Sequence, residues 1–361
     1  MRRFNIAYTL GCVALAALTL QSCNRSGGLD NLNVITKPYS LLFSDAKGLI
    51  YSTNDGQRFE VYTGSDGIPV QTLATSGERM LMVKQGGTIL FVSDGANDKF
   101  PNFNPTYDSI NLFAFGPSMI INLPGYNDSG AVKKDRIYLA SRKGSGIVYQ
   151  DYNGNNDSTW FQVGDPALTD KVTSFARQAN GTIVAFDDVS RKIWIKPDLA
   201  TAWINKPATN LPAAGNGQMY IITQKNDIIA VAVNGNTDGI WRSSDDGATF
   251  SKLPDIMVDN VPLKDITCAA APFGKVLIAC TKNHGIWRFS AQGAWESASV
   301  GLKEGAEVYA ISYKNNTFKN EKTGEYVFVG TNRGLYRSDD LGQNWVRLDV
   351  TSINNTFTEV H

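Results

Sequence analysis

Residues 338–345 read "SDDLGQNW", and residues 243–250 read "SSDDGATF". Two neighbouring aspartates in a glycine-containing loop suit catalytic acids, metal ligands or turn formers. The spelling recurs further. Aligned on this pair, "GIWRSSDDGATF" begins at Gly239 and "GLYRSDDLGQNW" at Gly334. A third copy, "GLIYSTNDGQRF" from Gly48, keeps Ser52, Gly56 and Phe59 at the same offsets, with Asn54 at the aspartate position. "KIWIKPDLATAW" from Lys192 keeps Asp198 and Trp203 but has Ala200 for the glycine, and "GIWRFSAQGAW" from Gly285 is one residue short. Weaker copies are "TILFVSDGANDKF" near Leu90 and "GIVYQDYNGNNDSTW" near Ile147.

The apolar anchors are Ile50, Leu90, Ile147, Ile193, Ile240, Ile286 and Leu335, at intervals of 40, 57, 46, 47, 46 and 49 residues. Around each anchor, β-branched and aromatic runs alternate with Gly, Asn and Asp turns, and helical periodicity is missing. The last unit predicts strands over residues 307–313, 326–331, 334–338 and 345–348. A period of 40 to 50 residues with four strands per unit is what a β-propeller blade requires. The expectation is therefore an all-β, seven-bladed β-propeller of four-stranded antiparallel blades over residues 33–361. The last unit has its four strands before residue 349, whereas the first lacks room for one. Residues 356–360 are therefore expected beside residues 40–44, with residues 32–36 the competing source of that strand.

The motif S-x-D-x-G-x-x-W is complete at Ser338, Asp340, Gly342 and Trp345, and has one aromatic exchange at Ser243, Asp245, Gly247 and Phe250. On these residues and this spacing the chain resembles the Asp-box, or BNR-repeat, propellers, which include sialidases, sortilin-type receptors, xyloglucanases and photosystem II assembly factors. The motif is shared across unrelated functions, so it speaks for fold rather than activity. Asp340 precedes Gly342 by two, which lets its carboxylate accept N–H bonds of its own turn while glycine takes a positive φ. Asn54 can accept the same bonds but cannot act as a general acid or base at neutral pH. The box residues are accordingly read as structural. The resemblance places ligands on the opposite face, among the second-to-third-strand turns and the blade-to-blade loops. Candidates there are Arg142 and Lys143 in "SRKGSG", Asp187 and Asp188 before "VSRK", and Asn234, Asn236 and Asp238 in "NGNTDG". Lys282, Asn283 and His284 in "TKNHG", Asn332 and Arg333 in "TNRG", and Tyr107, Asp108, Asp170 and Asp259 in longer loops complete the set.

Enzyme readings find little support in the residues. The arginine-containing R-I-P signature of sialidases is absent, the nearest spelling being "DRIY" with Tyr138 in place of proline. Two-carboxylate hydrolysis would need a pair such as Asp187 or Asp188 with Asp170 or Asp259 across a cleft. His284 and His361 are the only histidines, and no zinc spacing occurs. "DYNGNND" from Asp151 lacks the glutamate of a calcium loop and reads as a turn. No metal or cofactor is expected.

The 34 basic and 34 acidic side chains of the 361-residue chain balance, without a basic stripe that would mark a nucleic-acid binder. At the N-terminus, Arg2 and Arg3 precede an apolar run from Ile6 to Leu20, the pattern of a signal peptide over residues 1–22. Leu20-Gln21-Ser22-Cys23 resembles a bacterial lipobox, which implies acylation of Cys23, a flexible tether over 23–32 and a membrane partner through that lipid. Cleavage would leave 32 basic against 34 acidic residues, a nearly neutral surface. Cys268 and Cys280 flank Pro272-Phe273-Gly274 and are expected opposite each other on paired strands, either as a disulfide or as two packed thiols. The expectation is a monomeric, lipid-anchored protein of the bacterial cell envelope, at the outer membrane, that binds a glycan or protein without catalysis. A glycoside hydrolase or lyase of the same architecture is the alternative.

Overall fold

The computed structural model describes the strands between residues 41 and 162, and residues 172–198, 201–213, 217–234, 239–315, 325–348 and 357–360. The described residues are essentially all-β. Sheet one combines Phe357–Val360, Leu41–Asp45, Ile50–Thr53 and Phe59–Tyr62, in that order. Sheet two has three strands, Val70–Ser76, Arg79–Lys84 and Thr88–Val92. Sheet three holds Pro117–Asn127, Lys133–Ser141, Ile147–Tyr152 and Phe161–Gln162; sheet four holds Ser174–Arg177, Ile183–Asp187, Lys192–Lys196 and Ile204–Lys206. Sheet five is Gln218–Gln224, Asp227–Val233, Gly239–Ser243 and Ser251–Lys252, and sheet six Ile266–Ala270, Leu277–Thr281, Ile286–Phe289 and Trp295–Ser297. Sheet seven is Val308–Asn315, Glu325–Thr331, Gly334–Ser338 and Val346–Arg347, within two residues of the expected boundaries. All seven apolar anchors lie in the third strand of their sheet.

Two departures from the expected seven four-stranded units stand out. Sheet two shows three strands among the described residues, and the residues after it, 93–116, lie outside them; this is the unit with the 57-residue interval. An extra hairpin, Met257–Val258 with Val261–Pro262, stands between sheets five and six. Its tip is Asp259-Asn260, both at positive φ (49° and 64°), the conformation that a two-residue turn between right-twisted strands demands.

The central strands explain how neighbouring sheets cohere. In "IIAVAV" of Asp227–Val233, Ile228, Ala230 and Ala232 pack with Phe186 and Ile193 of sheet four. The alternate residues Ile229, Val231 and Val233 pack with Ile266, Leu277 and Ala279 of sheet six. Because successive side chains point to opposite faces, a strand covered on both sides must be apolar at every position. Each fully buried Ile or Val contributes about 1.5–3 kcal/mol. Sheets three and four share a further cluster of Tyr138, Ile147, Phe175 and Trp194, and sheets six and seven one of Ile278, Ile286, Val308 and Val329. The first strand of each sheet from two to six lies against the next sheet in chain order, and Val308–Asn315 and Val70–Ser76 both lie against Phe357–Val360.

The expected pairing of the C-terminus with the first strand is present, with Phe43 opposite Val360, Ser44 opposite Glu359 and Asp45 opposite Phe357. The competing segment 32–36 lies outside the described residues. Removal of residues 354–361 leaves the edge of Leu41–Asp45 and two neighbouring strands uncovered. The melting temperature, read by circular dichroism, is expected to fall by roughly 5 °C or more. An unchanged melt would contradict the pairing.

Candidate functional site

The aspartates of the repeated S-x-D-x-G motif, the box residues of the sequence, occupy the turns between third and fourth strands. Asp340 Oδ1 accepts the N–H groups of Gln343 and Asn344 (both 2.9 Å) and the Ser338 hydroxyl (2.8 Å), while Ser338 Oγ accepts Gly342 N–H (2.8 Å). Asp245 does the same with Thr249 N–H (2.9 Å), Thr249 Oγ1 (2.6 Å) and Ser243 Oγ (2.7 Å). In the degenerate copy, Asp198 takes Thr201 N–H (2.6 Å) and its hydroxyl (2.8 Å). The doubled aspartates prove to be out of step: the box residue is the first of Asp245-Asp246 and the second of Asp339-Asp340. Burial alone would raise the Asp340 carboxyl, but the Asn344, Ser338 and Gln343 donors hold it below its ordinary value. The Thr249 donors, with Ser243, depress Asp245 to about 2.

The turn so fixed reaches the preceding sheet. Trp345, 3% exposed, donates Nε1–H to Ala298 O (2.8 Å) and its backbone N–H to Val300 O (2.8 Å), both just past the last strand of sheet six. Phe250 N–H reaches Thr209 O (2.9 Å) beyond sheet four in the same way, and Trp203 packs edge-on to Tyr138 of sheet three (6.2 Å). Gly342 has φ +82°, and a Cβ there would stand 2.6 Å from Ile278 Cδ1. Ser52 and Phe59 lie in sheet one; Asn54 and Gly56 lie outside the described residues.

On the opposite face, the turns between second and third strands have staples of their own. Asp187, 3% exposed, accepts Val189 N–H (2.8 Å) and Ser190 N–H (3.1 Å) at Oδ1 and the Ser190 hydroxyl (2.8 Å) at Oδ2. At the equivalent place in sheets six and seven, Thr281 Oγ1 accepts His284 N–H and Thr331 Oγ1 accepts Arg333 N–H, each at 2.9 Å. Asp187 is thus a turn former on the face where the candidate residues were expected. Asp188 beside it is half-buried, its N–H directed at Thr173 Oγ1 (3.3 Å). Asp259 sits at the hairpin tip, and Arg333 is exposed. Tyr107, Asp108, Arg142, Lys143, Asp170, Asn236 and Asp238 lie outside the described residues, as do Cys23 and residues 1–40.

His284 acquires a partner that sequence reasoning missed. Its Nδ1 lies 3.0 Å from Asp265 Oδ2, which also accepts Asn283 N–H (2.8 Å). Asp265 Oδ1 is hidden from solvent with no hydrogen-bond partner. One sheet on, Tyr309 donates its phenol proton to Glu307, whose N–H bonds to Asn332 Oδ1 (2.9 Å). Burial and the Glu307 carboxylate push the Tyr309 phenol up to about 12. Asp265 and Glu307 each stand one residue before the first strand of their sheet. The signal available in the sequence is an acid immediately ahead of a first strand, outside the turns and long loops that supply the other candidates. In the neutral tautomer that donates Nδ1–H to Asp265, His284 presents Nε2 as an acceptor on a 39% exposed side chain. Among the described residues, no three His, Cys, Asp or Glu side chains gather to hold a metal.

Cys268 and Cys280 face each other across the first two strands of sheet six, the register the short loop predicts, and both are free thiols. Burial, with the hydrogen bond to Cys268, pushes the Cys280 thiol well up, which suits a packed group rather than a nucleophile.

No family model and no curated protein matches the sequence. Solved structures do match. The extracellular domain of a hybrid two-component system of B. thetaiotaomicron aligns over 82% of this chain at 14% identity and a TM-score of 0.52, and this chain spans only 36% of that one. Virginiamycin B lyase from Staphylococcus aureus, in a catalytically inactive form with quinupristin, aligns over 83% of this chain and 94% of its own (16% identity, TM-score 0.52). YCF48 bound to D1 peptide aligns over 80% and 86% (13%, 0.53). At these identities the likeness establishes a propeller-like fold and nothing about activity.

Asp340→Ala is expected to cost about 1–3 kcal/mol in denaturant unfolding, the range for hydrogen bonds to a charged group, and Asp340→Asn clearly less. A carboxyl whose folded-state pKa is depressed contributes stability that is present above its unfolded value and lost as pH falls through the folded one. For Asp245 that window runs from roughly pH 4 down to about 2. Acid unfolding of Asp245→Asn should therefore be shallower than wild type there, as followed by tryptophan fluorescence.

Proposed function

We propose that this chain is a lipid-anchored, extracytoplasmic, seven-bladed propeller that binds a glycan or protein partner, without catalysis, on the face opposite its Asp boxes. The seven sheets in chain order, each leaning on the next, and the terminal strand between sheets one, two and seven support the ring. Anchoring through Cys23 rests on the lipobox-like sequence. The observation that carries the binding reading is the state of Asp187. Its two oxygens accept three hydrogen bonds from its own turn, so one of the four carboxylates on which a two-carboxylate mechanism would draw has a structural role. What that face offers instead is a set of rigid turns displaying exposed Lys282, Asn283 and Arg333, beside a hairpin whose Met257 and Val261 are 46% and 62% exposed. Stapled backbone with varied side chains is a surface preorganised for recognition.

A lyase or hydrolase remains the second reading, and the Asp265–His284 contact favours it, since a carboxylate on Nδ1 orients Nε2 to take a proton. A glycan array probed with the full-length chain in detergent, read for both retention and released product, separates the two. Retention without release is the expected result. Release that disappears in His284→Ala would replace binding with catalysis.

A further inference from the structure

We propose that Asp265, His284, Glu307 and Tyr309 form one saccharide-binding site at the junction of sheets six and seven, which grips a sugar by its hydroxyl groups. The proposal deepens the binding reading above and rests on it.

Asp265 and Glu307 precede the first strands of adjacent sheets, at the same end. Thr267 Oγ1 donates to Val308 O (2.5 Å), tying those strands side by side. Asp265 is two residues from the tie and Glu307 one, so along the strand direction they differ by about 3 Å. Each carboxylate is engaged by one ring at one oxygen: Asp265 Oδ2 by His284 Nδ1, and Glu307 Oε2 by the Tyr309 phenol. Along Val308–Asn315, Val308 and Ala310 are buried in the core while Glu307 and Tyr309 are half-exposed, which puts the acid and the phenol together on the other side of the strand.

The unused valences are acceptors. Glu307 Oε1, His284 Nε2 and the lone pairs of the Tyr309 oxygen all call for a donor. Asp265 Oδ1 is sheltered from solvent, so Asp265 serves the site by holding His284 through Oδ2 rather than by meeting the sugar itself. A ligand with several neutral O–H donors on adjacent carbons fits this set. An anion is disfavoured by the two carboxylates. A cation competes with Lys282 and Arg333, which are exposed in the two turns that carry His284 and Asn332. An extended peptide supplies one backbone donor every 3.3 Å or so, facing alternate sides, whereas a sugar presents its donors on adjacent carbons. The Tyr309 and His284 rings give flat surfaces against which a sugar can pack.

The test uses the full-length chain in detergent on the same glycan array, followed by calorimetric titration of retained sugars. Glu307→Gln and Tyr309→Phe are expected to weaken binding at least tenfold while the melting temperature stays within a few degrees of wild type. A site-directed readout that needs no variant is protection of His284 from diethyl pyrocarbonate, measured by mass spectrometry, with His361 as the internal control; a bound sugar should slow modification of His284 alone at least fivefold. If a sugar binds but neither variant weakens it and His284 is not protected, this site is wrong and the binding reading survives. If no sugar binds, the saccharide assignment falls, and retention of an oligolysine probe in its place would show a cationic ligand.

Discussion

Sheets four to seven are each held to their predecessor by the aromatic residue at the end of the repeated motif. An aspartate alone would only tidy a loop. Its effect here comes from position: by taking the N–H groups of Gln343 and Asn344, Asp340 fixes where Trp345 leaves the turn, and Trp345 then bonds to Ala298 and Val300 of the segment beyond sheet six. Thr249 and Phe250 repeat this against Thr209, where the two segments even form a short parallel bridge. A sheet apolar on both faces is costly until both are covered, so the angle between neighbouring sheets has to be set by something stiffer than side-chain packing. The carboxylate-locked turn supplies that stiffness at the rim, and the buried clusters fill the angle it defines.

Sheet six shows what the device minimally requires. Its copy has no aspartate, and Ser290 closes the turn instead, accepting Ala294 N–H at its side chain (3.3 Å) and donating its own N–H to Ala294 O (2.8 Å). Trp295 still reaches back to the preceding unit, through Nε1–H to Pro254 O (2.8 Å). The aromatic bridge is retained where the acid is not.

The parts of the molecule that were legible in the sequence are those built from local chemistry. Asp245, Asp340 and their glycines spell out a turn within eight residues, and the anchors from Ile50 to Leu335 mark third strands because the alternation around them is local too. The hairpin at Asp259-Asn260 is equally local, two turn-forming residues flanked by valines, yet it falls outside the 40-to-50-residue period that marks the sheets. The Asp265–His284 and Glu307–Tyr309 pairs belong to another category. Nineteen residues separate Asp265 from His284, and only the pairing of the first two strands of sheet six brings them together. The role of Asp187 has the same root: a buried carboxylate facing its own turn and an exposed one facing a ligand are spelled alike, and burial is settled by the neighbouring sheet.

The pairing of Phe43 with Val360 also determines how the molecule bears load. The two ends of the described fold leave it side by side, at one corner of one sheet. A pull on the segment before residue 41 loads Leu41–Asp45, which is held on one side by four residue pairs to Ile50–Thr53 and on the other by three pairs, interrupted by a bulge at Ser44 and Asp45, to Phe357–Val360. The seam that fastens the last strand to the first is the weaker of the two grips on the loaded strand.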